Sequence, residues 1–142
     1  MPFDPHVHVG VGVIIVDTMG NLLTIQRQGA HGDGQWSVPG GWIDYGETPE
    51  TAVLRELAEE VGMIAVTPKL LDAVSSTFDE PVNHCVTLFY QVPFTEHTMD
   101  TPRLEVRTVR QVLWQPLEKL QSLDLFPPLK SFLSRQTSRV IF

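Results

Sequence analysis

The sequence lacks the features that mark secreted, membrane-embedded and nucleic-acid-binding proteins. A single cysteine in 142 residues excludes an intrachain disulfide, which is consistent with the reducing cytoplasm. No stretch approaches the roughly 20 apolar residues of a membrane span, and residues 1–10 do not place a basic region before an apolar run. Lysine and arginine are scattered and the net charge is −7, which argues against binding a nucleic acid backbone. We therefore expect a cytoplasmic protein that binds neither membranes nor nucleic acid polymers.

A length of 142 residues and an apolar fraction of 42% suit a single domain over residues 1–142 that is large enough for its own hydrophobic core. Most of the predicted elements are strands, and they do not alternate with helices as regular βαβ units. This order predicts an α/β protein of the α+β type, with helices on the faces of a mixed sheet. The predicted strands are 7–16, 22–27, 65–76, 85–94 and 104–114, with short extended pieces at 36–38 and 42–44 and helices at 49–61, at 116–120 and after Pro127.

The helix at residues 49–61 has the clearest local signals. Thr48 is a good N-cap, and Pro49 suits the first helical position, where a missing N–H costs nothing. Gly62 suits the residue just after the helix, where a left-handed backbone is usual. These signals fix both ends of the helix.

At about 100° per residue, the same helix separates into an acidic face and an apolar face. Glu56, Glu59 and Glu60 fall within one arc, on the side of the helix opposite the apolar residues. A cluster of carboxylates suits a hard cation such as Mg²⁺, which prefers oxygen ligands; the alternative is an ordinary solvated acidic face. The apolar arc, which we expect to be buried, consists of Val53, Leu54, Leu57, Ala58 and Val61.

Residues 41–63, GWIDYGETPETAVLRELAEEVGM, resemble the Nudix box of Nudix hydrolases, G-x5-E-x7-R-E-U-x-E-E-x-G-U, with U a bulky aliphatic residue. Met63 in the last aliphatic position is the one departure, and it should not affect the chemistry. Segments 22–29 and 34–41 and the region from Glu105 to Glu118 extend the resemblance over nearly the whole chain. The resemblance implies the Nudix fold, an α/β/α sandwich with a mixed sheet. In that fold the helix at residues 49–61 would bury its apolar side against the sheet and turn its acids toward the substrate cleft. The matching positions are Gly41, Glu47, Arg55, Glu56, Leu57, Glu59, Glu60 and Gly62.

The resemblance also implies an activity: Mg²⁺-dependent hydrolysis of a nucleoside diphosphate linked to another group, with Mn²⁺ able to substitute. One of the carboxylates would act as general base, and the family does not fix which one. A polyphosphate would be repelled by an acidic face unless cations lay between them, so the metal requirement agrees with the charge of the chain. The implied metal ligands are Glu56, Glu59 and Glu60 with a backbone carbonyl of Gly40 or Gly41.

The resemblance gives three further residues supporting roles. Arg55, which we group with the catalytic glutamates, would form an ion pair with Glu47. That pair would hold the loop against the helix. Glu47, through this ion pair, and Gly62, just after the helix, would support the site without acting in the reaction.

Four residues outside the catalytic set are candidate substrate contacts, each with an alternative. Arg27 could bind phosphate oxygens or simply face solvent at a strand end. Trp42 could stack on a nucleobase or pack in the core. His84 could contact a base or belong to the turn before a strand. Glu105 could supply an additional acid to the site or be an exposed strand residue.

The flanking sequence resembles the MutT-like branch, which cleaves nucleoside triphosphates to monophosphates and pyrophosphate. ADP-ribose or nucleoside-diphosphate sugars are the alternative substrates. A binding module without catalysis is the remaining alternative, although the complete acid cluster argues against it. Family members of this size are often homodimers, so the resemblance is compatible with a homodimer.

Overall fold

The computed structural model describes residues 6–29, 31–63, 67–78, 83–94 and 108–136. A short 3₁₀ helix, Leu117–Ser122, precedes the last α-helix. The strands are β1 (Val7–Ile14), β2 (Asn21–Arg27), β3 (Trp36–Ser37), β4 (Gly40–Trp42), β5 (Lys69–Phe78), β6 (Asn83–Gln91) and β7 (Val109–Pro116), and the helices are α1 (Pro49–Val61) and α2 (Pro127–Arg135).

The strands form two sheets. The larger sheet has the order β4-β1-β6-β5, in which β1 and β6 are parallel and the other neighbours are antiparallel. This is the mixed sheet that we predicted. The smaller sheet has the order β3-β2-β7 and is antiparallel throughout. The Val13 amide donates to the Pro39 carbonyl at 2.8 Å, which ties β1 to the turn before β4.

Side-chain alternation along the central strands separates two cores. Val11 and Val13 of β1 and Tyr90 of β6 face one core, whereas Ile14 and Phe89 face the other. Helices therefore cover both faces of the mixed sheet. Helix α1 contributes Ala52, Val53, Leu57 and Val61 to the first core, and α2 contributes Leu129 and Phe132 to the second.

Helix α1 begins and ends where its capping residues predict. The Thr48 hydroxyl accepts a hydrogen bond from the Thr51 amide at 3.1 Å, which satisfies a free donor of the first turn. Gly62 has φ 70°, and its amide donates to the Ala58 carbonyl at 3.2 Å. The predicted bounds of this helix are confirmed.

The buried face of α1 includes three of the five predicted apolar residues, Val53, Leu57 and Val61. Ala58 is exposed and Leu54 is only half-buried, so neither belongs to the fully buried face. Two of the three acids, Glu56 and Glu60, are also buried, each next to a buried apolar residue, whereas Glu59 is exposed. The buried residues of α1 are Ala52, Val53, Glu56, Leu57, Glu60 and Val61.

Other boundaries shift by a few residues. β6 begins at Asn83, so His84 lies within a strand and not in the preceding turn. The helix predicted at 116–120 is the 3₁₀ helix. Glu105 and the start of the strand predicted at 104–114 lie outside the described residues. Within the described ranges, no helix is long and apolar enough to cross a lipid bilayer.

Candidate functional site

A cleft of about 340 Å³ lies over the mixed sheet, on the face that carries the even-numbered residues of β1. Gly10 and Gly12 form part of its floor, so the backbone of β1 is not covered by side chains there. Residues from α1 and β4 line one edge of the cleft, and residues from β5 and the start of α2 line the opposite edge. The two edges differ sharply in chemistry.

Glu60 lines the α1 edge of the cleft and is only 5% exposed. Its Oε1 accepts a hydrogen bond from the Gly40 amide at 2.7 Å. Burial raises the pKa of the Glu60 carboxyl to about 8; the Gly40 amide acts in the opposite direction and nearby Glu56 adds to the increase. A carboxyl in this environment holds its proton near neutral pH unless a cation compensates the charge.

Glu56 lies one turn earlier on α1 and is 9% exposed. Burial raises the pKa of its carboxyl to about 7, although Arg55 opposes this by donating from Nη1 to Glu56 Oε1 at 2.9 Å. Gly41 provides the space for this carboxylate, because a Cβ at that position would lie 2.5 Å from Glu56 Oε1. The pair of glycines in β4 therefore contacts both buried acids.

Arg55 links the helix to the loop before it. Its guanidinium forms a bidentate ion pair with Glu47, at 2.7 Å from Nε and 2.9 Å from Nη2. Nη2 also donates to the Trp42 carbonyl at 3.0 Å, and Glu47 Oε1 accepts from the Asp44 amide at 2.9 Å. Arg55 lowers the pKa of Glu47 to about 2, so this pair stays charged over the whole physiological range. The network fixes Glu56 relative to β4.

Glu59 occupies a different environment from the other two acids. Its side chain is 51% exposed, and it accepts from Arg55 Nη1 at 3.3 Å without lining the cleft. Within the described ranges, no group of three or more His, Cys, Asp or Glu side chains is already arranged to hold a metal ion. The structure therefore gathers Glu56, Glu60, Gly40 and Gly41 and leaves Glu59 outside the cleft.

The residues at this edge fit a hard divalent cation. Glu56 and Glu60 are two desolvated carboxylates that line one cleft. Even with Arg55 at 2.9 Å from Glu56, keeping both of them charged is costly. Carboxylate oxygens and the backbone carbonyl oxygens of Gly40 and Gly41 are the kind of ligand that Mg²⁺ prefers. A cation at this edge would offset the desolvation that raises both pKa values.

The opposite edge of the cleft is aromatic. The rings of Phe78 and Phe126 have centroids 5.3 Å apart, and His31 meets Phe78 edge-on at 5.7 Å. Arg27, a predicted phosphate contact, stacks its guanidinium 4.0 Å above Phe126 and donates from Nε to the His31 carbonyl at 2.8 Å. Arg27 thus lines the cleft as part of this aromatic wall.

The remaining predicted contacts are placed as follows. Trp42 lines the cleft, is 44% exposed and lies 5.3 Å from the His8 ring. His84 accepts or donates a 2.7 Å hydrogen bond with Ser75, and its side chain is on the sheet face opposite the cleft. Glu105 lies outside the described residues.

Sequence reasoning missed most of the aromatic wall. In the loop that contains His31, only the glycines gave a recognisable sequence signal. Phe126 directly precedes the two prolines that open α2, and no sequence pattern marked it as a site residue. Alternation along β6 places Cys85 and Thr87 on the cleft face and could have identified them. No local signal joins Phe78 to Phe126, since 47 positions separate them.

Comparison with known proteins gives one family over nearly all of the described chain. A family model described as the NUDIX domain matches residues 6–136. An 8-oxo-dGTP diphosphatase from Proteus vulgaris is 41% identical over 86 residues, which are 60% of this chain and 74% of the relative. An ADP-ribose pyrophosphatase from Methanocaldococcus jannaschii is 34% identical over 86 residues, again 60% of this chain but only 51% of the relative. The match therefore spans about three quarters of the first relative and about half of the second.

Solved structures support the same fold. A MutT NUDIX hydrolase from Burkholderia pseudomallei superposes with a TM-score of 0.75 at 29% identity, covering 96% of this chain and 99% of that one. The NUDIX domain of Shewanella oneidensis NrtR, solved with ADP ribose, gives a TM-score of 0.74 at 23% identity, covering 96% and 92%. The second similarity shows the fold alone.

Proposed function

Because the chain belongs to the Nudix hydrolase family, as residues 41–63 predicted and a match over residues 6–136 shows, we propose that it hydrolyses the phosphoanhydride bond of a nucleoside diphosphate linked to another group. One observation carries the proposal: Glu56 and Glu60 are buried at one edge of a cleft whose other edge is aromatic. The acids suit a metal-bound diphosphate, and the rings of Phe78 and Phe126 suit a nucleobase. The two edges thus match the two parts of such a substrate.

Nudix hydrolases use divalent metal ions, and we propose Mg²⁺ for this chain, with Mn²⁺ as a substitute. Glu56 and Glu60 would hold the ion together with a backbone carbonyl of Gly40 or Gly41, and Glu59 is available from the solvent side. When bound, such an ion neutralises phosphate charge and acidifies a bound water. The general base remains one of the three glutamates.

The chain's own residues position the substrate and the acids. Arg55 holds Glu56 in place and ties the loop at Asp44 and Glu47 to α1. The Gly40 amide orients Glu60. The aromatic edge would hold the base in a fixed position, so that the diphosphate lies beside the acids.

Two substrates are candidates. Nucleoside triphosphates come first, because the relative that is 41% identical is named for hydrolysis of 8-oxo-dGTP. ADP-ribose and nucleoside-diphosphate sugars come second, supported by the relative that is 34% identical and by an exposed tryptophan, Trp42, beside the acids. Enzymes that act on either kind of substrate belong to the Nudix family, so family membership does not distinguish between the two candidates.

The test is turnover of a substrate panel with Mg²⁺ or with a chelator, using wild type, Glu60→Gln and the exposed control Glu118→Gln. The panel contains canonical and 8-oxo triphosphates, ADP-ribose and nucleoside-diphosphate sugars, with products identified by chromatography. We expect Glu60→Gln to lose about three orders of magnitude in kcat, since metal-assisted charge stabilisation is worth several kcal/mol. Glu118→Gln should match wild type. Equal turnover by wild type and Glu60→Gln, or no metal-dependent turnover of any substrate, would refute the proposal.

We also propose the setting of the enzyme. A lone cysteine that is buried suits a reducing compartment such as the cytoplasm. The partner that we expect is a nucleotide and not a nucleic acid polymer. A homodimer stays a prediction, which light scattering of the purified protein would test.

A further inference from the structure

A buried threonine lies in the middle of the cleft floor. Thr87 belongs to β6, where it pairs with Gly10 of β1 on one side and with Val74 of β5 on the other. Its side chain is on the same sheet face as that of Phe89, two residues later, and it lines the cleft although the residue is only 6% exposed. Thr87 therefore brings a hydroxyl to a sheet face on which the neighbouring side chains of Val74 and Phe89 are apolar.

The fold gives the Thr87 hydroxyl only a weak partner. Among the described residues, its single side-chain hydrogen bond joins Oγ1 to Cys85 Sγ at 3.9 Å, and a thiol is a weak donor and a weak acceptor. A buried hydroxyl without a strong partner costs stability, and a valine methyl of similar shape at the same position would not carry that cost. A hydroxyl in such surroundings points to a ligand that supplies the missing partner.

The strand order places Thr87 between the two edges of the cleft. Strand β4, beside the acids, lies two strand spacings from β6, which is roughly 10 Å, and β5, which ends at Phe78, is the next strand on the other side. In every nucleotide the pentose joins the base to the phosphates. A nucleotide with its diphosphate at the acids and its base at the rings of Phe78 and Phe126 must therefore place its pentose over β1 and β6. Among the described cleft residues of those two strands, Thr87 alone has a hydroxyl.

From this position we propose that the Thr87 hydroxyl forms a hydrogen bond with a hydroxyl group of the substrate's pentose, which makes Thr87 a specificity-determining residue. The inference rests on the function proposed above and deepens it, because it concerns the sugar and leaves the roles of the metal and the acids unchanged. The 2′ and 3′ hydroxyls share this chemistry, and deoxy analogues distinguish them. A nucleotide that lacks the contacted hydroxyl leaves Thr87 buried with only the Cys85 thiol, so the site discriminates against it.

The experiment measures kcat/KM with Mg²⁺ for GTP, 2′-deoxy-GTP and 3′-deoxy-GTP, and for the corresponding adenine nucleotides. The proteins are wild type, Thr87→Val, which removes the hydroxyl and keeps the shape, Thr87→Ser, which keeps a hydroxyl, and Thr77→Val. Thr77 is the matched control, since it is an exposed threonine of β5 that pairs with His84, whose side chain is on the sheet face opposite the cleft. If the wild type turns over none of these nucleotides, their dissociation constants, measured by calorimetry with Mg²⁺, provide the same comparison.

We expect wild type to prefer GTP over one of the two deoxy analogues by about five- to fiftyfold, the range for leaving one buried hydroxyl unpaired. The analogue that is discriminated against identifies the contacted hydroxyl. Thr87→Val should abolish this preference by weakening only the nucleotides that carry that hydroxyl. Thr87→Ser should retain most of the preference, and Thr77→Val should equal wild type.

Three outcomes would overturn the inference while leaving metal-dependent hydrolysis intact. One is a loss in Thr87→Val that is equal for all three nucleotides of a series, which a purely structural role would give. Another is a wild type that treats all three alike. The third is a sugar-dependent loss in Ser37→Ala instead of Thr87→Val, since Ser37 is the other hydroxyl residue among the described ones that lines the cleft and is more than nine-tenths buried.

Two further readouts keep the result decisive. Melting temperatures identify a variant that fails to fold, and Thr87→Ala then replaces Thr87→Val in the comparison. A wild type that neither binds nor hydrolyses any of these nucleotides would overturn the inference together with the nucleoside triphosphate candidate of the proposed function.

Discussion

At the scale of single residues, Gly40 and Gly41 lack side chains for different reasons. A Cβ on Gly40 would lie 2.1 Å from the Val11 carbonyl oxygen, which is backbone and cannot move without opening the sheet. The three atoms nearest to a Cβ on Gly41 all belong to the end of the Glu56 side chain, which could move only by leaving its present position beside Arg55. Gly40 therefore maintains the fold, and Gly41 maintains the position of an acid.

This difference predicts opposite results for two alanine variants. Gly41→Ala should fold with a melting temperature close to wild type but lose about ten- to a hundredfold in metal affinity, the range for disturbing the support of a metal ligand. Gly40→Ala should unfold or lose at least about 1–3 kcal/mol of stability through overpacking. Thermal melts in EDTA and Mg²⁺ titrations of turnover measure both effects. A Gly41→Ala protein with wild-type Mg²⁺ dependence would show that the placement of Glu56 is unimportant.

At the scale of elements, α1 joins the hydrophobic core and the acidic edge of the cleft. Leu57 of α1 is fully buried in the first core, which also contains side chains of β1. Its neighbour Glu56 lines the cleft. Packing of the apolar residues therefore sets how far the acids reach around the edge of β4. A change in the core would move the site.

Leu57→Ala should lower the free energy of unfolding by about 2–5 kcal/mol, because it leaves a cavity at a fully buried position. Leu54→Ala on the same helix is the matched control and should cost less, since Leu54 is only half-buried. Urea unfolding of the metal-free proteins gives both values. Equal losses for the two variants would contradict the helix orientation described above.

At the scale of the whole molecule, the buried acids couple stability to pH and to metal. The folded pKa values of Glu56 and Glu60, about 7 and about 8, exceed the usual value of 4.5. The folded state therefore binds these protons more tightly than the unfolded state. This contribution to stability is fully present below about pH 4.5 and is lost as the pH rises through 7 to 8.

We expect the metal-free protein to lose stability between pH 5 and pH 8 relative to the double variant Glu56→Gln, Glu60→Gln, in which both positions are neutral throughout. Mg²⁺ should raise the melting temperature of the wild type more at pH 8 than at pH 5, because it competes with the protons. Calorimetric melts in EDTA and in Mg²⁺ measure both trends. Parallel pH profiles for wild type and the double variant would contradict the proposed coupling.

Local signals account for what could be predicted from the sequence. Thr48, Pro49 and Gly62 act on backbone groups within four residues, so the bounds of α1 were predictable. The ion pair between Glu47 and Arg55, which the resemblance to the Nudix box implied, is present in the structure. The burial of Glu56 and Glu60 was not predictable from the helical wheel, because it depends on β4 lying against that side of the helix.

The sequence by itself determined the family, the helix that carries the acids and the spacing between them, because neighbours along the chain set each of these. Only the tertiary structure decided that Glu59 stays outside the cleft, that Phe78 meets Phe126 and that Trp42 faces them from the opposite edge. Burial and ring contacts join residues far apart in the chain. These contacts therefore stabilise the protein only when the strands have paired and both helices have packed on the sheet.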